Sequence, residues 1–327
     1  MRRRDFIKVV AGTAAVWPLA ARAQQPAMPV IGVLQFGTPT SSDLSGFRLG
    51  LKEAGYVEGQ NLKIEYRFAN DDPARLPELA ADLVGRKVNV IAAVSSGPAA
   101  ARAAKDATNT IPIIFGQGFD PIKQGLVASL NRPGGNVTGV LSLSSELFGK
   151  QIGILHELIP QAVHLGVLVS PKSAIYESIV KDTQSAASAK GQTVEILDAG
   201  TSADIDTVFA RIGNEKRVQG LLVTNEPLFV GQRVQLAILA ARYAVPAIYP
   251  FREQTEAGGL LSYGPNLADR DRQLGVYVGR ILHGENPGDL PVQQMSKFEL
   301  IINLKAAKAL GLIIPNSLQL LADEVIE

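Results

Sequence analysis

Few residues of this 327-residue chain are of the types that carry covalent chemistry. It has no cysteine, which excludes disulfides, thiolate nucleophiles and thiolate-ligated zinc. The three histidines, His156, His164 and His283, show neither HxxxH nor HExxH spacing, and His283, just before Gly284, is placed to favour a helix C-terminus. There is no G-x-S-x-G elbow and no P-loop, and Gly116 and Gly118 lack the third glycine of a dinucleotide-binding turn. No catalytic residue, metal site or cofactor is expected. What the chain offers is small, hydroxyl-bearing, aromatic and charged residues gathered in turns. In the first half these are Phe36, Thr38 and Ser42; Ser95, Ser96 and Gly97; and Gln117, Phe119 and Asp120. In the second half they are Ser144; Ser170 with Tyr176; Asn225 and Glu226; and Tyr249, Phe251 and Arg252.

Each set suits binding better than reaction. Small hydroxyl residues ahead of a helix expose backbone N–H groups to an anionic ligand end, and the same residues cap helices that bind nothing. Asp120 reads as a helix N-cap or an ammonium partner. Glu226 reads as an amine partner or as a charge biasing the helix after Pro227. Arg252 could fork onto a carboxylate or sit solvated on a surface. Phe119, Tyr249 and Phe251 could flank a flat ligand or fill a core.

The elements that must position these turns form one unit that occurs twice. Residues 88–94 are an apolar run of strand length, followed by Ser95-Ser96-Gly97-Pro98, an alanine-rich helical stretch at 99–107 and a second apolar run at 111–115. Residues 218–223, Thr224-Asn225-Glu226-Pro227, 230–243 and 245–249 repeat that order. Upstream, 30–34 and 61–66 echo 164–169 and 192–197, and the helical stretch 76–84 echoes 205–212. Strands alternating with helices predict parallel sheets buried on both faces. Two copies predict an α/β protein of two doubly wound, Rossmann-like lobes. Ligands of such sheets sit beyond the carboxyl ends of the strands, so two facing lobes share one cleft. Asp120-Pro121 predicts a short helix to Leu130. A strand at 137–143 leads to the second lobe, 258–264 leads away from it, and a helix at 267–282 packs back on the first. Crossings are thus expected near 140–144, 250–262 and 288–297, forming a three-crossing hinge. The divisions are 24–141 with 263–290 for lobe I, and 142–262 with 291–327 for lobe II.

Residues 1–23 read as an export signal. Arg2-Arg3-Arg4 precede an apolar stretch, and Ala21-Arg22-Ala23 is a small-x-small cleavage site before Gln24. The run Arg3-Arg4-Asp5-Phe6-Ile7-Lys8 fits the twin-arginine consensus, with the general secretory route as the alternative. The apolar stretch is shorter than the ~20 residues of a spanning helix. A soluble periplasmic protein is expected. Without the signal the chain holds 27 basic and 30 acidic residues and has no basic tract, which argues against nucleic acid as a partner.

Three stretches resemble the ABC-transporter substrate-binding protein family whose described members include tryptophan-binding proteins. They are Asp120-Pro121 through Val140, with Arg132-Pro133-Gly134-Gly135-Asn136; Leu261-Ser262-Tyr263-Gly264-Pro265-Asn266; and Lys297 through Leu312, with Ala322-Asp323-Glu324-Val325-Ile326. The resemblance implies a type I periplasmic-binding-protein fold, a small molecule in the cleft and a membrane permease as partner. A monomer is expected, since both lobes must be presented to the transporter. Phe119 stands where the family often has glycine before Asp-Pro. The alternatives are a periplasmic sensor subunit of the same fold and an exported enzyme using Asp120 or Glu226 as general base.

Overall fold

The computed structural model describes residues 28–39, 43–94, 97–118, 120–142, 147–173 and 175–327. The signal segment, Ser42, Ser95, Ser96, Phe119 and Ser144 lie outside the described residues. Among those described, the strands form two sheets. The first contains β1 (Val30–Gln35), β2 (Lys63–Phe68), β3 (Val90–Ala93), β4 (Ile113–Gln117), β5 (Val137–Leu141) and β11 (Gln293–Gln294), in the order β11-β5-β4-β3-β1-β2 and parallel throughout. The second contains β6 (His164–Val169), β7 (Thr193–Asp198), β8 (Gly220–Val223), β9 (Ala247–Tyr249), β10 (Leu261–Pro265), β12 (Phe298–Asn303) and β13 (Glu324–Ile326). Its order is β13-β12-β10-β9-β8-β6-β7, parallel except for the β10–β12 pair.

Both sheets are therefore doubly wound, and the internal repeat holds strand for strand: β5-β4-β3-β1-β2 matches β10-β9-β8-β6-β7. The reason is visible in β1. Ile31 and Val33 belong to one core cluster and Leu34 to the cluster on the opposite face. A strand apolar on both sides needs helices on both sides. In the first lobe α2 (Leu76–Gly85) and α3 (Gly97–Ala107) cover one face, while α1 (Ser45–Glu53) and α10 (Leu267–Leu282) cover the other. In the second, α4 (Phe148–Leu158) and α5 (Tyr176–Ser188) lie opposite α6 (Ser202–Glu215), α7 (Pro227–Gly231) and α8 (Arg233–Arg242). The chain ends with α11 (Leu304–Ala309) and α12 (Asn316–Leu321). No described helix is long and apolar enough to cross a membrane.

The α1–α10 contact is unusually close. A Cβ on Gly50 would fall against the Arg272 carbonyl, and one on Gly275 would lie 2.6 Å from the Leu51 amide nitrogen. Gly46 meets the Ala268 carbonyl in the same way, and Gly279 meets the Ala54 Cβ. Small residues one turn apart let the two backbones approach, and Phe47, Leu51, Leu274 and Val278 seal the flanks.

Three local readings are corrected. No helix follows Asp120. The chain makes one turn, in which the Leu126 amide donates to the Pro121 carbonyl at 2.8 Å, and stops because Gly125 has φ +66°. The helix expected at 230–243 starts earlier, at Pro227, and divides at Gln232 into α7 and α8. The strand at 258–264 does not leave the second lobe. As β10 it pairs with β9 and β12, so the chain returns to the first lobe only after Pro265. The crossings fall between β5 and α4, between β10 and α10, and between β11 and β12.

Candidate functional site

In a doubly wound sheet, a crevice opens where neighbouring strands send their following helices to opposite faces. In the first sheet that point lies between β1 and β3; in the second it lies between β6 and β8. Phe36 follows β1 and Pro98 opens α3; Ser170 follows β6 and Glu226 follows β8. All four line one cavity of about 440 Å³ between the lobes. Its remaining wall is largely apolar, with Ala99, Leu126, Ile175, Pro227 and Leu228, and it carries Lys172, Ser173 and Arg102 toward the rim. This is the size and mixture of a small-molecule site.

Glu226 is the most informative group there. It is 8 % exposed and occupies the N-cap position of α7, yet its side chain makes no capping bond. Its Oε1 is buried without a hydrogen-bond partner. Burial pushes the carboxyl above its usual range, and only the Ser173 hydroxyl works against that shift. Glu226 therefore makes no capping hydrogen bond, and it lines the cavity with one carboxylate oxygen unpartnered.

A smaller cavity of about 140 Å³ adjoins the first and shares Phe36, Asp71 and Pro227 with it. Gln117, Asn225 and Phe251 line this chamber. Gln117 donates through Nε2 to Gln124 Oε1 at 3.0 Å. Gly97 begins α3, and Thr38 is half-buried near Phe36 but lines neither cavity.

Four other residues are turned elsewhere. Asp120 accepts from the Ile122 and Lys123 amides at 2.9 and 3.3 Å and faces a crevice beside α5. The Tyr176 hydroxyl donates to Asp198 Oδ1 at 2.9 Å, and its neighbour Ile175 lines the cavity instead. Tyr249 is fully buried in the second-lobe core. Arg252 opens α9 (Arg252–Glu256) and binds Glu256, Glu299 and Glu324 at 2.9, 3.4 and 2.6 Å, tying α9 to β12 and β13. Arg252→Ala is therefore expected to lower stability by about 1–3 kcal/mol with little change in ligand affinity. Denaturation and titration of the same variant check both halves of that statement.

Residue spacing did not single out Arg270, Asp271, Glu253 or Asp71. Arg270 and Asp271 are buried at the start of α10 and paired at 2.8 Å, with the Arg270 side chain lying against Gly116. A signal was present: Asp271, Leu274 and Val278 fall on one helical face, so a carboxylate was placed among core positions.

The fold and the shared cleft define a two-lobed protein of the periplasmic-binding type, built to enclose a small molecule. The chain belongs to the ABC transporter substrate binding protein family, whose model matches residues 31–326. It is 30% identical over 284 residues to the tyrosine-binding protein of Clostridioides difficile, covering 86% of this chain and 81% of that protein. It is similar to an ABC domain from Streptococcus pneumonia solved in complex with L-Trp, with TM-score 0.82 and 27% identity over 91% of this chain and 99% of the other. The ligand-free, open structure of a Clostridium difficile substrate-binding protein with adhesive properties gives TM-score 0.64 and 25% identity over the same shares.

Proposed function

We propose that this protein is the exported solute receptor of an ABC importer and that its ligand is an amino acid with a large, aromatic side chain. Glu226 carries the proposal: a buried, unpartnered carboxylate oxygen in an interlobe cavity at both switch points calls for a ligand ammonium. The N-terminus of α3, with the Ser170 hydroxyl and Lys172 at the rim, suits the ligand carboxylate. Phe36, Pro98, Leu126, Ile175 and Leu228 suit the apolar body. The amino acids bound by the relatives agree in class with this arrangement.

The mechanism is ligand-biased closure about the three crossings. A ligand touching both lobes binds the closed form better than the open form and shifts the population by that difference. The higher likeness to the tryptophan-bound relative than to the open one, at similar identity, is in keeping with closed lobes. Residues 1–23 would direct export, with cleavage near Ala23 and Gln24, and the closed form would dock on a permease as a monomer. No turnover is expected.

Thermal unfolding of the chain from Gln24 onward, with amino acids, carboxylates, nucleosides and aromatic metabolites, tests the reading. A ligand at ~100 times its dissociation constant adds about 2.7 kcal/mol. A selective shift with an aromatic amino acid, recovered unchanged, is the expected result. Shifts only with other classes, or consumption of the compound, would overturn it.

A further inference from the structure

The smaller chamber differs in chemistry from the cavity beside it. The larger space is mainly apolar, whereas this one is edged by Arg233 and Glu253 of the second lobe and by Arg270 and Asp271 of α10. Arg270 and Asp271 are paired with each other. Glu253 Oε2 is buried and has no hydrogen-bond partner. The short helix that carries it is held firmly. The Phe251 amide donates to Gln254 Oε1 at 3.3 Å, and Gln254, fully buried, donates to the Phe229 carbonyl at 3.5 Å. A buried, unpartnered acceptor on a held residue that lines a space of about 140 Å³ is a specific demand for a donor.

We propose that this chamber is a subsite for a neutral hydrogen-bond donor at the far end of the ligand's side chain, and that Glu253 reads it. The inference rests on the amino-acid reading above. With the ammonium at Glu226, the side chain passes along the apolar wall toward Phe36, which borders both spaces. Phe36 and Phe251 line the chamber and give apolar surface to an aromatic group entering there. Arg233 and Arg270 share the lining with Asp43, Asp71 and Asp271, so it carries both signs; the largely apolar passage leading there favours a phenol hydroxyl or an indole N–H over an ammonium, whose desolvation costs more. Burial raises the Glu253 carboxyl, its own backbone amide and Arg270 work against that shift, and the nearby Glu256 and Asp271 add to it. A site built around such a bond discriminates strongly against an analogue that lacks the donor, because the acceptor is then shut in unpaired.

The test is calorimetric titration of the full mature chain with L-tyrosine, L-tryptophan, L-phenylalanine, O-methyl-L-tyrosine, 1-methyl-L-tryptophan and L-lysine. The wild type is expected to bind tyrosine or tryptophan at least about tenfold more tightly than its donor-lacking counterpart. Glu253→Leu should reduce that ratio to within about threefold while leaving phenylalanine affinity unchanged or improved. Glu253→Gln, which keeps shape and an acceptor oxygen, should retain part of the ratio and serves if the leucine variant does not fold. Equal binding of each donor and its counterpart overturns the subsite and leaves the amino-acid reading standing. So does an equal loss for all ligands on replacing Glu253. Preference for lysine overturns the neutral-donor assignment. If none of the six binds, the amino-acid reading falls and the subsite with it.

Discussion

Glu226→Gln is expected to weaken binding of an amine-bearing ligand by roughly 100-fold or more while making the empty protein more stable at neutral pH. Both signs follow from one carboxylate. Removing one member of a buried charge pair costs about 3–5 kcal/mol, because the other charge is left uncompensated. In the empty protein there is no ammonium, and burial raises the Glu226 carboxyl above its unfolded value. A carboxyl raised on folding gives its full contribution to stability below the unfolded pKa and loses it as pH rises through the folded one. At neutral pH the native side chain is thus a liability that glutamine removes. The ligand ammonium reverses the balance by favouring the charged form. Affinity should fall as pH drops through the raised folded pKa in the wild type and stay low and nearly flat in the variant. Titrations across pH 4–8 on the order of one unit apart, beside thermal unfolding of the empty proteins, read both effects. If Glu226→Gln bound the ligand as tightly as wild type, the ammonium assignment would be wrong.

Gly50→Ala is expected to destabilise the protein by about 3 kcal/mol or more, although alanine is the better helix former. In an open helix this exchange gains up to about 1 kcal/mol. Here the added methyl meets the Arg272 backbone carbonyl, which cannot swing aside as a side-chain tip would. Relief requires α1 and α10 to separate along the stripe of Gly46, Gly50, Gly275 and Gly279, which strains a packed core. Gly149→Ala is the control: it lies in α4 with its nearest neighbour 3.9 Å from the new atom. Chemical denaturation should show a large loss for the first variant and none for the second. Equal stability of Gly50→Ala and wild type would contradict the packing described.

The architecture was legible because it is written in apolar runs of strand length. Residues 30–34 and 164–169 are apolar on both faces, as parallel strands between helix layers must be, and the repeat of their surroundings fixed both sheets. Readings failed where one tertiary contact or one backbone angle decides. Asp120-Pro121 has the chemistry of a helix start, but Gly125 ends the turn at once. Arg252 had the charge to hold a carboxylate, and three glutamates of its own lobe hold it instead. Tyr249 stands at a strand end and is core. At the site, Glu226 was visible as an acid before Pro-Leu. Glu253, Arg270 and Asp271 were not, because they reach the cleft from two helices separated by β10, and no local spacing records that meeting.

The position of α10 has a consequence for how the molecule comes into being. The helix is made after every strand from β1 to β10, yet it forms part of the core of the first sheet, against Phe47 and Leu51. Until it arrives, those side chains have no cover. The second lobe waits longer still, since β12 joins its sheet and β13, ending at Ile326, adds the outer edge. Contacts of such long sequence separation form slowly. The two lobes are therefore not modules that mature one after the other as the ribosome delivers them; both are finished by the last quarter of the chain, and a truncated product has no completed half to fall back on.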